Sequence, residues 1–359
     1  MNGYFDYNAT TPLSDAAREA YLEAADRHWH NPSGLYREAA AARRALEDAR
    51  QELAAILDTD PKRVVFNSGA TEGANAIFHH HSGEPVAISP IEHPCVTEAA
   101  GDAATFDGEI PAGTKLVAQM AANNEHGAIQ AWRTSLTRCR EHGVRFFCDA
   151  SQWIGKRPPD GLGECDYLTA TAHKFGGPKG CGFLLIPEGS DINTLAGGPQ
   201  ENQHRGGTED YPAIAAMLAA LKESQSKVGD AAHRDAFETA ILASLPGTQI
   251  VAADSERLWN TSMIILPEHK NLKWLTRLSA RGISVSTGSA CSAGKDNPSR
   301  VLLAMGYGYA EMGRALRFSS GHDTTAEDWM AAATALKEVH AELSSGQNNG
   351  LGKISLTDL

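Results

Sequence analysis

The sequence has little positive charge, no long apolar run and no paired cysteine motif. It contains 32 Lys and Arg against 44 Asp and Glu, which gives a net charge of −12. A protein that binds duplex nucleic acid needs clustered basic residues to neutralise phosphates, so this charge balance argues against general nucleic-acid binding. No stretch approaches the roughly 18 apolar residues of a membrane span, and the N-terminus lacks the basic and apolar segments of a signal peptide. We therefore expect a cytoplasmic protein that binds neither nucleic acid nor a membrane.

Cysteine is also scarce, and its pattern excludes a zinc site. The six cysteines are scattered, with no CxxC pair and no close Cys/His spacing. We expect reduced thiols and no metal. Five of them lie beside apolar or strand-forming residues, where a free cysteine is usually a small buried hydrophobe. Cys291 differs, because it lies among small polar residues (286–294) that are typical of a surface loop.

The apolar pattern divides the chain into two parts. At 359 residues and 42% hydrophobic content, the chain is long enough for one large domain and a smaller one. Short apolar runs alternate with helical patterns over 12–251, which predicts an α/β domain with a mainly parallel sheet. We predict a smaller α+β domain over 1–11 and 252–343, and a flexible tail over 344–359. The principal predicted elements are strands over 64–66, 86–88, 116–118, 144–148, 167–170, 183–186, 262–266, 283–285 and 315–319, and a helix over 271–280.

Polar residues follow three of the predicted strands. After the first strand, the turn and helix start at Thr71 would aim backbone N–H groups at one spot, as in a phosphate site, although such a turn is more often only a turn. Asp149 directly follows another strand, with Gln152 three residues on, and ligands of open parallel sheets lie at that end of the strands. Lys174 precedes a glycine-rich turn. It is either a cofactor-binding lysine or a solvated loop lysine.

Together these residues match the needs of one cofactor. Pyridoxal phosphate requires a lysine for its aldehyde, an acid against its ring nitrogen and donors for its phosphate. Lys174, Asp149 and Thr71 offer these groups, and all three follow strands. The combination predicts a pyridoxal-phosphate enzyme.

The sequence resembles the cysteine desulfurases, which are class-V, fold-type I pyridoxal-phosphate enzymes. The resemblance extends from Tyr7 nearly to Thr325, and it implies a mainly parallel seven-stranded sheet between helices in the large domain. The matching motifs are Asn31-Pro32-Ser33, Ser68-Gly69-Ala70-Thr71-Glu72-Gly73, Glu92-His93-Pro94, Asn123-Asn124-Glu125, Asp149-Ala150-Ser151-Gln152, His173-Lys174, Arg205-Gly206-Gly207-Thr208-Glu209, Gly288-Ser289-Ala290-Cys291-Ser292 and Arg317-Phe318-Ser319.

The resemblance implies a role for each matching residue. Lys174 would bind the cofactor, His93 would stack on its ring and shuttle protons, and Cys291 would receive sulfur. Arg317 would bind the substrate carboxylate, which suits its planar fork of donors, together with Asn8. The other implied cofactor-binding residues are Ala70, Thr71, Asn124, Asp149, Gln152, Thr171, His173 and Thr208, the last reaching in from the partner subunit of a homodimer.

The implied activity is removal of sulfur from L-cysteine. The products would be L-alanine and a persulfide on Cys291, for transfer to an acceptor such as an iron–sulfur scaffold or a tRNA-thiolation protein. There are two alternatives. One is a selenocysteine lyase or a cystine-cleaving lyase, which needs less from the loop cysteine, and the other is a catalytically silent scaffold that binds the cofactor. The sequence departs from the family at His126, where an aliphatic residue is common, in the loop 198–203, which lacks a usual glycine, and in a shortened segment over 81–115.

Overall fold

The computed structural model describes residues 3–227, 229–288 and 299–345. The chain divides into two compact units: a large unit of residues 10–123 and 129–228, and a small unit of residues 1–9, 124–128 and 229–359. The chain passes from the large unit to the small unit at residue 229, whereas we predict that the second domain begins at residue 252. The reason is a helix over 232–244, whose Phe237 and Ile241 pack in the core of the small unit.

A seven-stranded sheet forms the framework of the large unit. Its strands are β1 (Val64–Asn67), β2 (Val86–Ile88), β3 (Ala104–Thr105), β4 (Leu116–Ala118), β5 (Arg145–Asp149), β6 (Tyr167–Thr171) and β7 (Gly182–Leu185). They lie in the order β1-β7-β6-β5-β4-β2-β3, and β7 runs antiparallel to both of its neighbours while the other pairs are parallel. Every residue of β4 and β6 is buried, as expected for strands covered on both faces. The predicted α/β fold with a mainly parallel sheet is confirmed.

The helices of the large unit begin where the sequence supplies caps. Ser14 accepts a hydrogen bond from the N–H of Ala17, and Asp210 accepts one from the N–H of Ala213, which satisfies otherwise unpaired donors. None of the described helices in either unit is both long and apolar enough to cross a membrane. The helices are α1 (Asp15–Arg27), α2 (Arg37–Leu57), α3 (Ala70–His80), α4 (Pro94–Ala100), α5 (Trp132–Glu141) and α6 (Tyr211–Ser226).

The small unit is an α+β structure around a three-stranded antiparallel sheet. Its core includes Phe5, Trp274 and Trp329, all almost fully buried. The strands are β8 (Gln249–Ile250), β9 (Thr261–Ile265) and β10 (Ala315–Ser319), and the helices are α7 (Ala232–Ser244), α8 (Asn271–Ala280), α9 (Arg300–Ala304), α10 (Tyr309–Met312) and α11 (Ala326–Ser345).

One predicted strand of the small unit is wrong. The apolar run over 283–285 forms no strand, because its backbone makes only isolated bridges. Ser284 bridges to Tyr4 and Ser286 bridges to Arg317, so neither partner continues a ladder. An apolar pattern does not show that the bridging partner of this segment changes from Tyr4 at residue 284 to Arg317 at residue 286.

Candidate active site

A buried carboxylate ends β5. Asp149 is 6% exposed, and its Oδ1 accepts hydrogen bonds from the backbone N–H of Ser151 at 2.9 Å and from the Ser151 hydroxyl at 2.6 Å. These two donors fix the orientation of the carboxylate. Gln152 is also buried, and its Oε1 accepts a hydrogen bond from Lys156. The end of β5 therefore presents an oriented acid that suits a protonated ring nitrogen.

His93 caps the helix α4. Its Nδ1 accepts a hydrogen bond from the backbone N–H of Cys95 at 3.2 Å, so in the neutral imidazole the proton is assigned to Nε2. Burial is the main cause that lowers the pKa of His93; Asp149 acts against it and Lys174 adds to it. The ring is thus favoured in its neutral form, with an N–H at Nε2 that can exchange protons.

A second thiol lies beside this imidazole. Cys95 Sγ is 3.0 Å from His93 Nδ1, and the side chain is partly buried. Burial, followed by the charges of Asp149 and Glu92, raises the pKa of Cys95 well above its usual range, although a hydrogen bond with Thr71 opposes the shift. Cys95 is therefore held as a neutral thiol, which is a poor nucleophile.

The start of α3 forms a cradle suited to a phosphate. Gly69 precedes the helix with φ of +136°, a conformation that favours glycine. The first N–H groups of the helix, from Ala70 and Thr71 onwards, have no acceptor within the helix and attract anions. A Cβ at residue 69 would lie 3.0 Å from Thr171 Oγ1, so glycine there leaves room beside the Thr171 hydroxyl, which also lies 3.4 Å from the Cys181 carbonyl.

Lys174 follows β6 in a short 3-10 turn (Ala172–Lys174). Burial is the main cause that lowers the pKa values of His93 and His173, and the charge of Lys174 adds to both shifts. His173 Nδ1 lies 3.1 Å from Thr10 Oγ1, and burial, with Lys174 and Lys179, lowers the pKa of His173 to about 4. A neutral His173 can donate to an anion without requiring a proton from solvent.

The large-unit residues fit pyridoxal phosphate. The oriented Asp149, the cradle at Gly69 and Thr171, and Lys174 in the turn after β6 provide the acid, the anion site and the amine that the cofactor requires.

Thr208 lies in the loop that leads into α6 and is exposed in this chain. The loop is fixed by Arg205, whose Nε donates to Glu72 Oε1 at 2.7 Å. Although burial acts in the opposite direction, hydrogen bonds from Arg205, Ser68 and Thr194 lower the pKa of Glu72 to about 2. The role of Thr208 in a partner's site stays a prediction.

In the small unit, Arg317 projects from β10 and is 1% exposed. Its Nη2 donates to Asp6 Oδ1 at 2.5 Å and its Nη1 to the Asn124 carbonyl at 3.0 Å. Its Nε is buried and has no hydrogen-bond partner in the described part of the chain. The guanidinium is therefore rigidly held with one donor unused.

The amide of Asn8 is engaged by protein groups. Its Nδ2 donates to the Asn124 carbonyl at 3.1 Å and to Thr261 Oγ1 at 2.9 Å, while its Oδ1 accepts from Asn260 at 3.2 Å. Asn8 thus positions Asn124, and its predicted contact with substrate stays a prediction. Asn124 Oδ1 is buried and has no hydrogen-bond partner among the described residues.

Cys291 lies outside the described residues, whose nearest members along the chain are Gly288 and Ser299. Both contact groups of the small unit. The Gly288 carbonyl lies 3.4 Å from Arg317 Nη1, and the Ser299 hydroxyl donates to Glu125 Oε2 at 2.6 Å. Glu125 has no role predicted from the sequence; it is buried, and that burial raises its pKa.

The chain is similar to known proteins along most of its length. The aminotransferase class-V family model matches residues 3–110 and 101–331. A cysteine desulfurase of Trichormus azollae is 31% identical over 354 residues, which cover 90% of this chain and 88% of the relative. The chain belongs to the class-V aminotransferases and, within them, to the cysteine desulfurases.

Solved structures share the fold along nearly the whole chain. A structure described as a NifS-like protein is 28% identical, with a TM-score of 0.83 over 95% of this chain and 100% of its own. A structure of SspA in complex with cysteine is also 28% identical, with a TM-score of 0.76 over 88% of this chain and 98% of its own.

Proposed function

We propose that this enzyme removes sulfur from L-cysteine with pyridoxal phosphate bound to Lys174, and that it produces L-alanine and a persulfide on Cys291. The observation that carries the proposal is that Lys174 lies in the turn directly after β6, and that β6 pairs with β5, which ends at the oriented Asp149. The similarity to cysteine desulfurases and to a structure that contains cysteine supports L-cysteine as the substrate.

The residues divide the chemistry among them. Pyridoxal phosphate, when bound, withdraws electrons from the Cα of an amino acid through its protonated ring. Asp149 stabilises the proton on the ring nitrogen, since a carboxylate favours an adjacent cation. Lys174 takes the Cα proton as a general base. His93 transfers protons through Nε2, because its Nδ1 is committed to the backbone.

Sulfur removal requires a thiolate. The Cys291 thiolate attacks the substrate sulfur, so that an S–S bond forms as the Cβ–S bond breaks, and protonation of the remaining carbon skeleton gives alanine. Arg317 binds the substrate carboxylate through charge-assisted hydrogen bonds. Cys95 does not compete, since burial keeps its thiol protonated.

We also propose that the enzyme is a cytoplasmic homodimer that passes sulfur to an acceptor protein. Apolar side chains are exposed near the start of α2: Trp29 is 70% exposed, Leu35 99% and Tyr36 50%. His30 stacks on Trp29 with ring centroids 3.9 Å apart. Clustered exposed aromatic residues are typical of protein interfaces, and a second copy that covers them would remove this area from water.

Two cysteine variants test the sulfur acceptor. Cys291→Ser should still bind the cofactor and L-cysteine, while alanine production should fall to the background level, because an alcohol cannot form a persulfide. Cys95→Ser is the matched control, since it removes the thiol that lies beside His93 and should leave the added sulfur on Cys291. Mass spectrometry of the peptide that contains Cys291, after brief exposure to cysteine, measures that sulfur.

The opposite results would be equally clear. Alanine production by Cys291→Ser at the wild-type rate would remove the persulfide from the mechanism. Sulfur found on Cys95 would show that Cys95, and not Cys291, is the sulfur acceptor.

A further inference from the structure

Glu92 is a buried carboxyl group to which the proposed reaction assigns no role. Its side chain is 3% exposed, and Oε1 accepts a hydrogen bond from the backbone N–H of Met120 at 2.6 Å. Oε2 is buried and has no hydrogen-bond partner among the described residues. A buried carboxylate ordinarily needs a paired cation or several donors, and the described residues offer Glu92 one donor and no ion pair.

The hydrogen bond to Met120 extends the sheet beyond the end of β2. Past β4, the N–H of Ala121 donates to the carbonyl of Asp149 at 2.9 Å, on the side of β5. The N–H of Met120 is directed to the opposite side, towards β2, which has already ended at this point. Glu92 Oε1 therefore accepts the hydrogen bond that a carbonyl of a longer β2 would accept. Because residues 120 and 121 are consecutive, Glu92 and Asp149 are tied to one short backbone segment.

The surroundings of Glu92 favour its neutral form. Burial and, next, the Asp149 carboxylate raise the pKa of Glu92 to about 8, although the Met120 N–H acts in the opposite direction. The other titratable groups that interact with it are the thiols of Cys95 and Cys148. Burial raises the pKa values of both thiols, so neither adds charge.

We propose that Glu92 is a positioning residue that stays protonated in the working enzyme and aligns the backbone behind Asp149 without adding a second negative charge. A neutral Glu92 still accepts the Met120 hydrogen bond at Oε1. An ionised Glu92 would add a second negative charge in the buried region that already holds the Asp149 carboxylate, which is unfavourable. Asp149 then remains the group that carries the negative charge opposite the ring nitrogen. This functional consequence rests on the proposed cofactor site, whereas the protonation state of Glu92 does not.

Infrared spectroscopy of the full-length holoenzyme tests the protonation state. A carboxylic acid has a carbonyl band distinct from that of a carboxylate, so wild type below pH 8 should show a band that Glu92→Gln lacks. Glu201→Gln is the matched control: Glu201 is also buried, but Arg50 binds it at 2.7 Å. That variant should remove no such band. Equal spectra for wild type and Glu92→Gln would overturn the proposal.

Unfolding by denaturant gives a second readout. The folded-state pKa of Glu92 lies above its ordinary value of 4.5, so the folded form retains a proton that the unfolded form releases. Wild type should therefore lose stability relative to Glu92→Gln as the pH rises from about 4.5 to about 8, by up to tenfold in the folding equilibrium constant per pH unit. Parallel curves for the two proteins would contradict a neutral Glu92.

The positioning role is tested on the bound cofactor. Glu92→Gln keeps an acceptor for Met120, whereas Glu92→Leu does not. The pH dependence of the cofactor's visible absorbance should match wild type near neutral pH in the glutamine variant and shift in the leucine variant. A shift of the same size in both would show that charge, not the hydrogen bond, is what Glu92 supplies. Neither outcome depends on Cys291, so failure of desulfuration remains distinguishable from failure of this inference.

Discussion

The two units hold their functional residues in different ways. In the large unit the residues that we propose for the cofactor follow strands of one sheet: Asp149 ends β5 and Lys174 follows β6. In the small unit Asp6, Asn124 and Arg317 come from three separate segments and are joined by side-chain hydrogen bonds. Strand ends bring residues together through topology, whereas the second group depends on buried polar contacts that the fold class does not dictate.

This difference predicts which property each substitution should change. Replacing a strand-end residue of the large unit removes a chemical group while the sheet remains intact. Replacing a member of the small-unit network leaves a buried partner unsatisfied, which costs both substrate affinity and stability.

The largest effect is expected for Lys174→Ala. Without the amine, the cofactor should be lost on dialysis, and alanine production should fall by a factor on the order of 10²–10⁴, as for removal of a general base. Lys179→Ala is the control, because Lys179 is exposed in the turn five residues further on. Visible absorbance and alanine release measure both effects. An unchanged spectrum for Lys174→Ala would assign the cofactor to a different lysine.

Arg317→Lys should act on substrate binding. Lysine keeps the charge but loses the planar fork, so the KM for L-cysteine should rise by roughly 10- to 100-fold, the equivalent of one or two charge-assisted hydrogen bonds. The cofactor absorbance should be retained. Arg257→Lys is the control for general disturbance, because Arg257 is also buried in the small unit, where it pairs with Glu238 at 2.7 Å. Equal rises in KM for both variants would leave Arg317 without a specific role.

The sequence predicted strands better than it predicted the polar network of the small unit. The apolar runs over 86–88, 116–118 and 315–319 coincide with β2, β4 and β10, since each is bounded by polar or turn-forming residues; β4 and β10 are buried throughout, and β2 is partly buried. β3 and β8 were missed because two residues carry no detectable period.

Buried carboxyl groups were not predictable from spacing. Glu92 and Glu125 lie within recognised motifs, yet their partners, Met120 and Ser299, are 28 and 174 residues away in sequence. Glu201 likewise pairs with Arg50 across 151 residues. No local pattern shows whether such a side chain is buried, so their roles emerge only from the tertiary structure.

Acid should weaken the small unit through His126. Burial and then Arg257 lower the pKa of His126 to about 4, so the unfolded chain takes up a proton below pH 6.5 that the folded chain does not. Stability is therefore lost as the pH falls from 6.5 towards 4, by about 2 kcal/mol at pH 5. His126→Leu should remove this loss, measured by urea unfolding at pH 8 and pH 5.

The leucine variant also has a cost. It cannot accept the N–H of Ala128, which His126 Nδ1 accepts at 3.1 Å, so it should be about 1 kcal/mol less stable at pH 8. His79→Leu, at an exposed histidine of α3, is the control and should keep the acid sensitivity of wild type. The same sensitivity in His126→Leu would place its cause elsewhere in the chain.

Thr208 extends the comparison to a second copy of the chain. If its hydroxyl binds the cofactor phosphate of the partner subunit, Thr208→Ala should weaken cofactor binding by about tenfold, since a hydrogen bond to a charged group contributes roughly 1.5 kcal/mol. Thr137→Ala, at an exposed threonine of α5, is the control. Cofactor titration followed by absorbance gives the affinity, and sedimentation gives the oligomeric state.

A mixed dimer decides whether Thr208 acts across subunits. One chain carries Thr208→Ala and the other Lys174→Ala, so the only site with a lysine belongs to the chain that lacks the Thr208 hydroxyl. If Thr208 serves the partner, that site receives the hydroxyl from the Lys174→Ala chain and should bind the cofactor with wild-type affinity. If Thr208 serves its own chain, the same site should bind about tenfold more weakly. The weaker result would confine Thr208 to its own subunit and contradict its predicted role in the partner's site.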